Sequence, residues 1–260
     1  MSVMHAETLL LQRQDAVATI TVNRPEARNA LTSDMRAEML EMCRGLANDR
    51  DVRVLVLRGA GGRTFISGAD IKEFAARPGV EDLLEMARCD EQLYEAVESL
   101  PVPTIAVIEG HALGGGLVLA AVCDVRVCTS DSRFGVPSAK SLGNCLSPGQ
   151  YARLVDLIGP ARTKELLICA KVLSAPEAAG WGLVNDVVER DELDAHVAAL
   201  TERLSRHAPL TMWAAKEAVR RLTRGHDDRE DIMERVLGSE DFREGLAAFV
   251  EKRAPRWRNR

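Results

Sequence analysis

Phe65-Ile66-Ser67-Gly68-Ala69-Asp70-Ile71-Lys72 and Ala112-Leu113-Gly114-Gly115-Gly116 are the segments from which the rest of this chain is read. Each lies between a predicted strand and a predicted helix, and each is made of residues small enough to let a ligand approach the backbone. A helix that starts at the second glycine triplet points unpaired N–H groups at whatever fills the site, and its dipole favours negative charge there. An oxyanion suits such a pair of turns. Phosphate readings fail on spacing. Gly59-x-Gly61-Gly62 has Thr64 where a dinucleotide loop needs its third glycine, and no Lys-Ser/Thr follows Gly110 to Gly116.

Upstream, the β-type runs Thr8 to Leu11 and Val17 to Val22, separated by Gln12-Arg13-Gln14-Asp15, predict a hairpin. Thr32 or Ser33 can cap a helix in which Leu31, Met35, Met39, Met42 and Leu46 make one buried stripe. Val52 to Leu57 predicts a strand that ends in the turn Gly59-Ala60-Gly61-Gly62. Further on, a helix over Val80 to Leu100 leads through Pro101 and Pro103 to a strand over Thr104 to Ile108 that ends at Glu109. A helix over Leu117 to Cys123 and a strand over Val125 to Cys128 follow. The last third predicts helices near Pro160–Leu167, Pro176–Gly180, Asp191–Arg206, Pro209–Leu222 and Ser239–Lys252. Strand, strand and helix recur as layers, so the expected class is α/β with a helical C-terminal region.

With 260 residues the chain is long enough for a full core. Its 46% apolar and 28% charged residues with a net charge of −5 make no case for nucleic acid or an anionic membrane, and 4% aromatics is too few for a base-stacking surface. Met1 to Glu7 shows no basic region followed by an apolar one, and no segment approaches the roughly 18 apolar residues of a membrane span, so a soluble cytoplasmic protein is expected. Six cysteines, Cys43, Cys89, Cys123, Cys128, Cys145 and Cys169, are scattered through core-like segments without a Cys-x-x-Cys, and read as reduced, packed thiols. Cys145 is the exception, in the Gly/Ser/Asn/Pro-rich loop Gly143 to Pro148. No metal and no redox cofactor is called for.

Taken together, the motifs resemble those of the enoyl-CoA hydratase/isomerase family, also called crotonase. The resemblance is carried by Asn23-Arg24-Pro25 with Asn29-Ala30-Leu31, by Phe65 to Lys72, and by Ala112 to Cys123-Asp124. It continues through Phe134-Gly135-x-Pro137, Ala178 to Val184 and Ala248 to Arg253. It implies a spiral of ββα units over residues 1–200 with an acyl-CoA pocket, and a helical oligomerisation region over 201–260. Homotrimers commonly pair into hexamers in the family. Its two oxyanion donors fall on the backbone N–H of Ala69 and of Gly115, which would polarise a thioester carbonyl and stabilise its enolate. Asp70, Ile71 and Lys72 match a stretch that contacts the adenine end of coenzyme A, here part of the substrate and not a separate cofactor. Ala27, Arg28 and Ala30 match residues at its entrance. Phe249 and Lys252 match C-terminal residues that can cover a neighbouring subunit's ligand. Ser67, Gly68, Gly114, Val118, Pro137 and Leu142 are expected to line the pocket.

The pattern departs from the family at its two catalytic glutamates. Their positions hold Val118 and, with a one-residue slip in register, Ser138 or Ala139. Each positioned acid or base typically contributes about 10²- to 10⁴-fold, so ordinary hydration should lose most of its rate. The loop from Ser138 to Cys145 supplies polar replacements: Asn144 as a donor, Ser138 to orient water, Lys140 or Cys145 as base or nucleophile if their pKa were lowered. Against these stand the plainer roles of loop hydrogen-bonder, surface charge and packed thiol. His111 is expected to support backbone, Glu109 to face away from the pocket, and Asp124 and Arg126 to pair or cap. The basic tail Lys252 to Arg260 reads as solvated, or as meeting an acidic surface or coenzyme A phosphates of a neighbour. Three readings follow: an acyl- or enoyl-CoA enzyme, nominally a hydratase or isomerase; an acyl-CoA binder without catalysis; or a decarboxylase that uses the same oxyanion hole.

Overall fold

The computed structural model describes residues 7–76, 79–225 and 230–260. All but Glu7 of the opening segment examined for a leader therefore lies outside the described residues. Two sheets organise the chain. The larger contains β1 (Leu9–Gln14), β2 (Val17–Val22), β3 (Val54–Gly59), β5 (Thr104–Ile108), β7 (Val125–Thr129) and β10 (Asp186–Val188) in that spatial order. The smaller contains β4 (Thr64–Ile66), β6 (His111–Leu113), β8 (Arg133–Gly135) and β9 (Val172–Ser174). Consecutive strands thus alternate between sheets: β3 then β4, β5 then β6, β7 then β8. A helical segment follows each pair, namely α2 (Ile71–Ala76) with α3 (Val80–Glu98), then α4 (Gly115–Ala121), then α5 (Ser138–Ser141) with α6 (Pro148–Ile168). This is the ββα layering expected from the sequence.

The first two strands form the predicted hairpin, with Leu9 opposite Val22 and Gln14 opposite Val17. The remaining pairings of the large sheet are parallel. Its inner strands are buried on both faces, which is why they read as continuous apolar runs without alternation. Leu55, Leu57, Ala106, Ile108 and Cys128 turn toward the main core, where they meet Phe65, Phe134, Leu117 and Leu154. Val54, Val56, Ile105, Val107 and Val127 turn the other way and are covered by Leu193 and Leu200 of α8 (Leu193–Ser205). Residue 200 thus falls within α8.

Helix α1 (Ser33–Ala47) is capped by Thr32, whose side chain accepts from Met35 N. Its buried stripe runs through Met35, Met39, Cys43 and Leu46, so Cys43 replaces Met42 in the expected pattern. Helix α6 starts at Pro148, twelve residues before the predicted Pro160, and bends at Gly159, whose φ of 77° interrupts it. Then come α7 (Ala175–Trp181), α9 (Pro209–Thr223), α10 (Glu230–Leu237) and α11 (Glu240–Glu251). Among the described residues no helix is long and apolar enough to cross a membrane. Gly45 lies in the interior of α1, and a Cβ there meets nothing within 4 Å. Gly45→Ala is therefore expected to stabilise the fold by about 0.5–1 kcal/mol. Urea unfolding checks this, and an unchanged midpoint would contradict it.

Candidate functional site: a junction of two glycine turns

Strands β4 and β6 are parallel neighbours, with Thr64 beside His111 and Ile66 beside Ala112. Parallel pairing puts their carboxyl ends at the same edge. Two residues beyond the Ile66–Ala112 pair stand Gly68 and Gly114, so the two turns must meet there. They do: a Cβ on Gly68 would lie 3.2 Å from Gly115 N, and one on Gly115 would lie 3.8 Å from Gly68 Cα. Both turns need glycine, since Gly68 has a φ of 105° and Gly114 one of 56°. Gly116 is packed on β4 so closely that a Cβ would sit 2.6 Å from the carbonyl carbon of Ile66 and closer still to its oxygen. Strand β8 continues the arrangement, with Leu113 beside Gly135 and Gly114 N donating to Gly135 O at 2.9 Å. Its carboxyl end leads into Pro137 and Ser138 at the same edge. Such edges, outside the carboxyl ends of parallel strands, are where α/β folds bind ligands.

The two amides singled out in the sequence are free to serve a guest. Leu31 N donates to Gly68 O and Asp70 N donates to Leu31 O, both at 2.9 Å, so Ala69 is bridged to Leu31 in parallel fashion. In that pattern the flanking peptide groups face the partner strand, and the N–H of Ala69 itself faces away from it. Gly115 is the first residue of α4, and its cap Gly114 offers no side-chain acceptor. Among the described residues neither the Ala69 nor the Gly115 amide has a hydrogen-bond acceptor. Both residues are half-buried, and Ser67 and Gly114 share this partial opening.

Around the junction the expected residues take varied places. Asp70 does not reach out toward a ligand: Arg24 holds its Oδ2 through two hydrogen bonds of 3.2 Å, and its Oδ1 accepts from Lys72 N at 3.0 Å, which caps α2. Arg24 also donates to Ala30 O at 2.8 Å, and so ties the 27–30 turn to the first glycine turn. Asn29, fully buried, joins the same turn to Ala60 O and Thr64 O. Arg28, Ile71 and Lys72 are exposed and Ala27 is half-buried. Val118 is fully buried one turn into α4. Ser138, Asn144 and Cys145 come together, but around a cavity of about 550 Å³ walled by Val136, Tyr151, Thr163 and Leu167, to which neither glycine turn contributes. Leu142 is exposed and Pro137 caps α5. Lys140 is exposed too, and among the described residues neither its side chain nor that of Cys145 has a bonded partner.

Other expectations are corrected. Cys169 is exposed as well as Cys145, while burial pushes the thiols of Cys43, Cys123 and Cys128 up to about 12. Asp124 and Arg126 do pair and cap as expected, with partners other than each other. Asp124 accepts from Thr104 N and Oγ1 and from Lys216, whereas buried Arg126 donates to Leu183 O and Asn185 Oδ1. The basic tail is largely exposed, as expected, but part of it folds back on its own chain. Arg253 and the amides of Arg256, Arg258 and Asn259 close on Glu244 and Asp241 of this chain's own α11. His111 supports backbone as expected, with its N and Nδ1 both directed at Arg63 O, and Glu109 is occupied by Arg58 and Arg190.

A polar cluster that the sequence reading missed lies beside the junction. Buried Arg36 of α1 donates to Leu31 O at 3.2 Å and pairs with Glu73 at 3.5 Å and Asp90 at 3.2 Å. Burial pushes the Asp90 carboxyl up to about 6 despite Arg36, and neighbouring Glu91 adds to the rise. Tyr94, one turn further along α3, is buried and donates to Gly115 O at 3.3 Å. Its phenol pKa is raised well above the ordinary value by desolvation, which keeps it a neutral donor. Glu91 accepts from Ser147 Oγ and, at 2.6 Å, from Arg153, which also pairs with Glu98 at 3.2 Å. The spacing of Asp90, Glu91, Tyr94 and Glu98 on one helix is the signal that could have found the cluster.

The ββα fold thus ends in a glycine junction whose Ala69 and Gly115 amides have no acceptor among the described residues. Comparison with known proteins identifies the family. The enoyl-CoA hydratase/isomerase family model matches residues 12–260, and the chain belongs to that family. It is 33% identical over 255 residues to a short-chain-enoyl-CoA hydratase of Clostridium acetobutylicum, covering 96% of this chain and 97% of that one. Identity to a 2,3-dehydroadipyl-CoA hydratase of Escherichia coli is 32% over 257 residues, covering 97% and 99%. Among solved structures, an enoyl-CoA hydratase/carnithine racemase from Magnetospirillum magneticum superposes with a TM-score of 0.91 at 36% identity, covering 98% of this chain and 97% of that one.

Proposed function

We propose that the protein binds an acyl- or enoyl-CoA thioester and stabilises the enolate of its carbonyl with the N–H groups of Ala69 and Gly115. The observation that carries this reading is the meeting of the two glycine turns, 3.2 Å apart by the Gly68 measure, with both amides unclaimed. Two fixed donors cost no reorganisation when charge develops on oxygen, and losing one such donor typically costs about 2.7–4 kcal/mol. Exposed Lys72 and Arg28 flank the approach and suit the phosphates of coenzyme A, with Ile71, Ala27 and Ala30 beside them as apolar surface. Asp70 contributes by holding the turn.

Val118 and Ser138 carry no carboxyl group, so neither supplies the carboxylate that activates water in a hydratase. The reaction is therefore slow as a hydration, and proton transfer at an enolate carbon, isomerisation or decarboxylation fits the site better. Phe249 and Val250 stand 85% and 79% exposed on α11 beside a groove lined by Phe242, Leu246 and Trp257, which fits assembly into a homotrimer or hexamer. Mixing the protein with a short trans-2-enoyl-CoA tests the assignment. Saturable binding is expected, with loss of the conjugated thioester absorbance about 10²-fold or more slower than in a hydratase with both glutamates. Absence of binding would overturn the proposal, and binding with no chemistry on any acyl-CoA would leave the non-catalytic reading.

A further inference from the structure

An oxyanion site without carboxylates at 118 and 138 still needs a proton carrier, and α3 presents one. The hydroxyl of Tyr94 lies 3.0 Å from where a Cβ on Gly115 would stand and donates to Gly115 O, so this face of α3 abuts Gly115 on its carbonyl side. Glu91 precedes Tyr94 by three residues and shares that face, roughly 5–6 Å away between Cβ atoms. From there its carboxylate spans to the start of α6. Ser147 Oγ donates to Oε1, Arg153 Nη1 donates to Oε2 at 2.6 Å, and a Cβ on Gly149 would stand 2.6 Å from Oε2. Helix α6 follows β8 and α5, whose junction at Pro137–Ser138 lies at the same edge as the glycine turns. The carboxylate is thus held against the 147–149 wall by a helix whose next turn touches Gly115 through Tyr94, with its side chain 32% exposed.

Resting on the thioester reading above, we propose that Glu91 is the acid/base of this site, a catalytic residue that takes the α-proton of the bound acyl group. Ser147 and Arg153 are positioning residues that hold its carboxylate against the 147–149 wall. In the forward step a Glu91 oxygen accepts the α-proton. The C–H electron pair forms the Cα–C double bond, and the carbonyl π pair moves to the oxygen held by Ala69 and Gly115. The reverse step returns a proton from the carboxylic acid to carbon and restores the carbonyl. Nothing is oxidised or reduced. The competing role for Glu91 is to tie α3 to α6 through Arg153. Glu98, on the same helix, already makes that tie at 3.2 Å and also holds Arg224.

The test is a half-reaction that no hydration can obscure. The whole protein is incubated with butyryl-CoA in deuterated water, and deuterium at C2 is read by mass spectrometry. The absorbance red shift of a bound conjugated aryl-acryloyl-CoA, which reports carbonyl polarisation, is recorded on the same samples. Wild type is expected to exchange, Glu91→Gln to exchange about 10²-fold or more slowly with the red shift kept, and Glu85→Gln, at an exposed position of the same helix, to stay near wild type. Exchange at the wild-type rate in Glu91→Gln overturns the proposal. So does an equal loss in Glu85→Gln, or a wild type that shows the red shift yet exchanges nothing. No red shift in wild type would instead sink the thioester reading. Should Glu91→Gln fail to fold, Glu91→Asp keeps the charge and draws the carboxylate back by one methylene. Slowed exchange with the red shift kept then supports the role, and wild-type exchange removes it.

Discussion

Replacing Gly116 by alanine is expected to destabilise the protein by about 3 kcal/mol or more and to abolish polarisation of a bound thioester. The added carbon would stand 2.6 Å from the carbonyl carbon of Ile66, and that neighbour is backbone, so no side chain can rotate out of its way. Relief requires α4 to lift away from β4. Because the Ile66–Ala112 register is what brings Gly68 to Gly115, the same movement separates the two amides. Urea unfolding reads the first effect and the spectrum of a bound conjugated thioester the second. Near-wild-type stability would show that the α4–β4 approach is looser than the structure has it.

A second large effect is expected at Arg36. Its guanidinium is 2% exposed and holds Leu31 O, Glu73 and Asp90. Arg36→Met fills much of the volume but leaves Asp90 without its counter-charge, and removing one partner of a buried pair costs about 3–5 kcal/mol. The effect depends on pH with a definite sign. The folded-state pKa of Asp90, about 6, lies above its ordinary 3.8, so the folded form takes up a proton more readily than the unfolded chain. The unfavourable contribution of Asp90 is complete above pH 6 and is relieved as pH falls toward 4. Without Arg36 the carboxyl pKa rises further. The deficit of Arg36→Met relative to wild type should therefore be largest in alkaline solution, narrow as pH falls to about 6, and level off below it. The charged groups facing Asp90 are Arg36 from α1 and Glu91 from its own helix, with Tyr94 one turn away. Unfolding midpoints at a series of pH values check this, and a deficit that widens on acidification would contradict it.

Much of the fold was legible because long elements carry long patterns. The α1 stripe, the nineteen residues of α3 and the apolar runs of β3, β5 and β7 all announce themselves. The small sheet does not. Its four strands are three residues each, too short to show a period of two, and His111-Ala112-Leu113 reads as a turn because glycines crowd both of its ends. Yet these strands set the register that makes the site.

The amides of Ala69 and Gly115 are singled out through the resemblance of the two glycine segments to the family, and the structure adds that the neighbouring backbone at Gly68, Gly114 and Gly116 requires glycine. Side-chain chemistry was harder to read. Asp90, Glu91 and Arg153 look like ordinary charges on solvated helices until the packing of α3 against the turns and of α6 against α3 is known. Ser138, Asn144 and Cys145 suggested a substitute catalytic set because they are close in sequence to the missing glutamate, and α5 with the turn after it brings all three to the lining of one cavity. The fold-back of the basic tail was not legible because Asp241 and Glu244, whose carboxylates accept its backbone amides, belong to α11 and meet it only when the chain turns back.

The most direct measurement is the infrared carbonyl stretch of an acyl-CoA labelled with ¹³C at the thioester carbon and bound at saturation. Convergence of the residue 69 and 115 amides on that oxygen predicts a lower frequency in the bound state than in water. A bound carbonyl vibrating at its free-solution frequency would mean that the two N–H groups do not grip it.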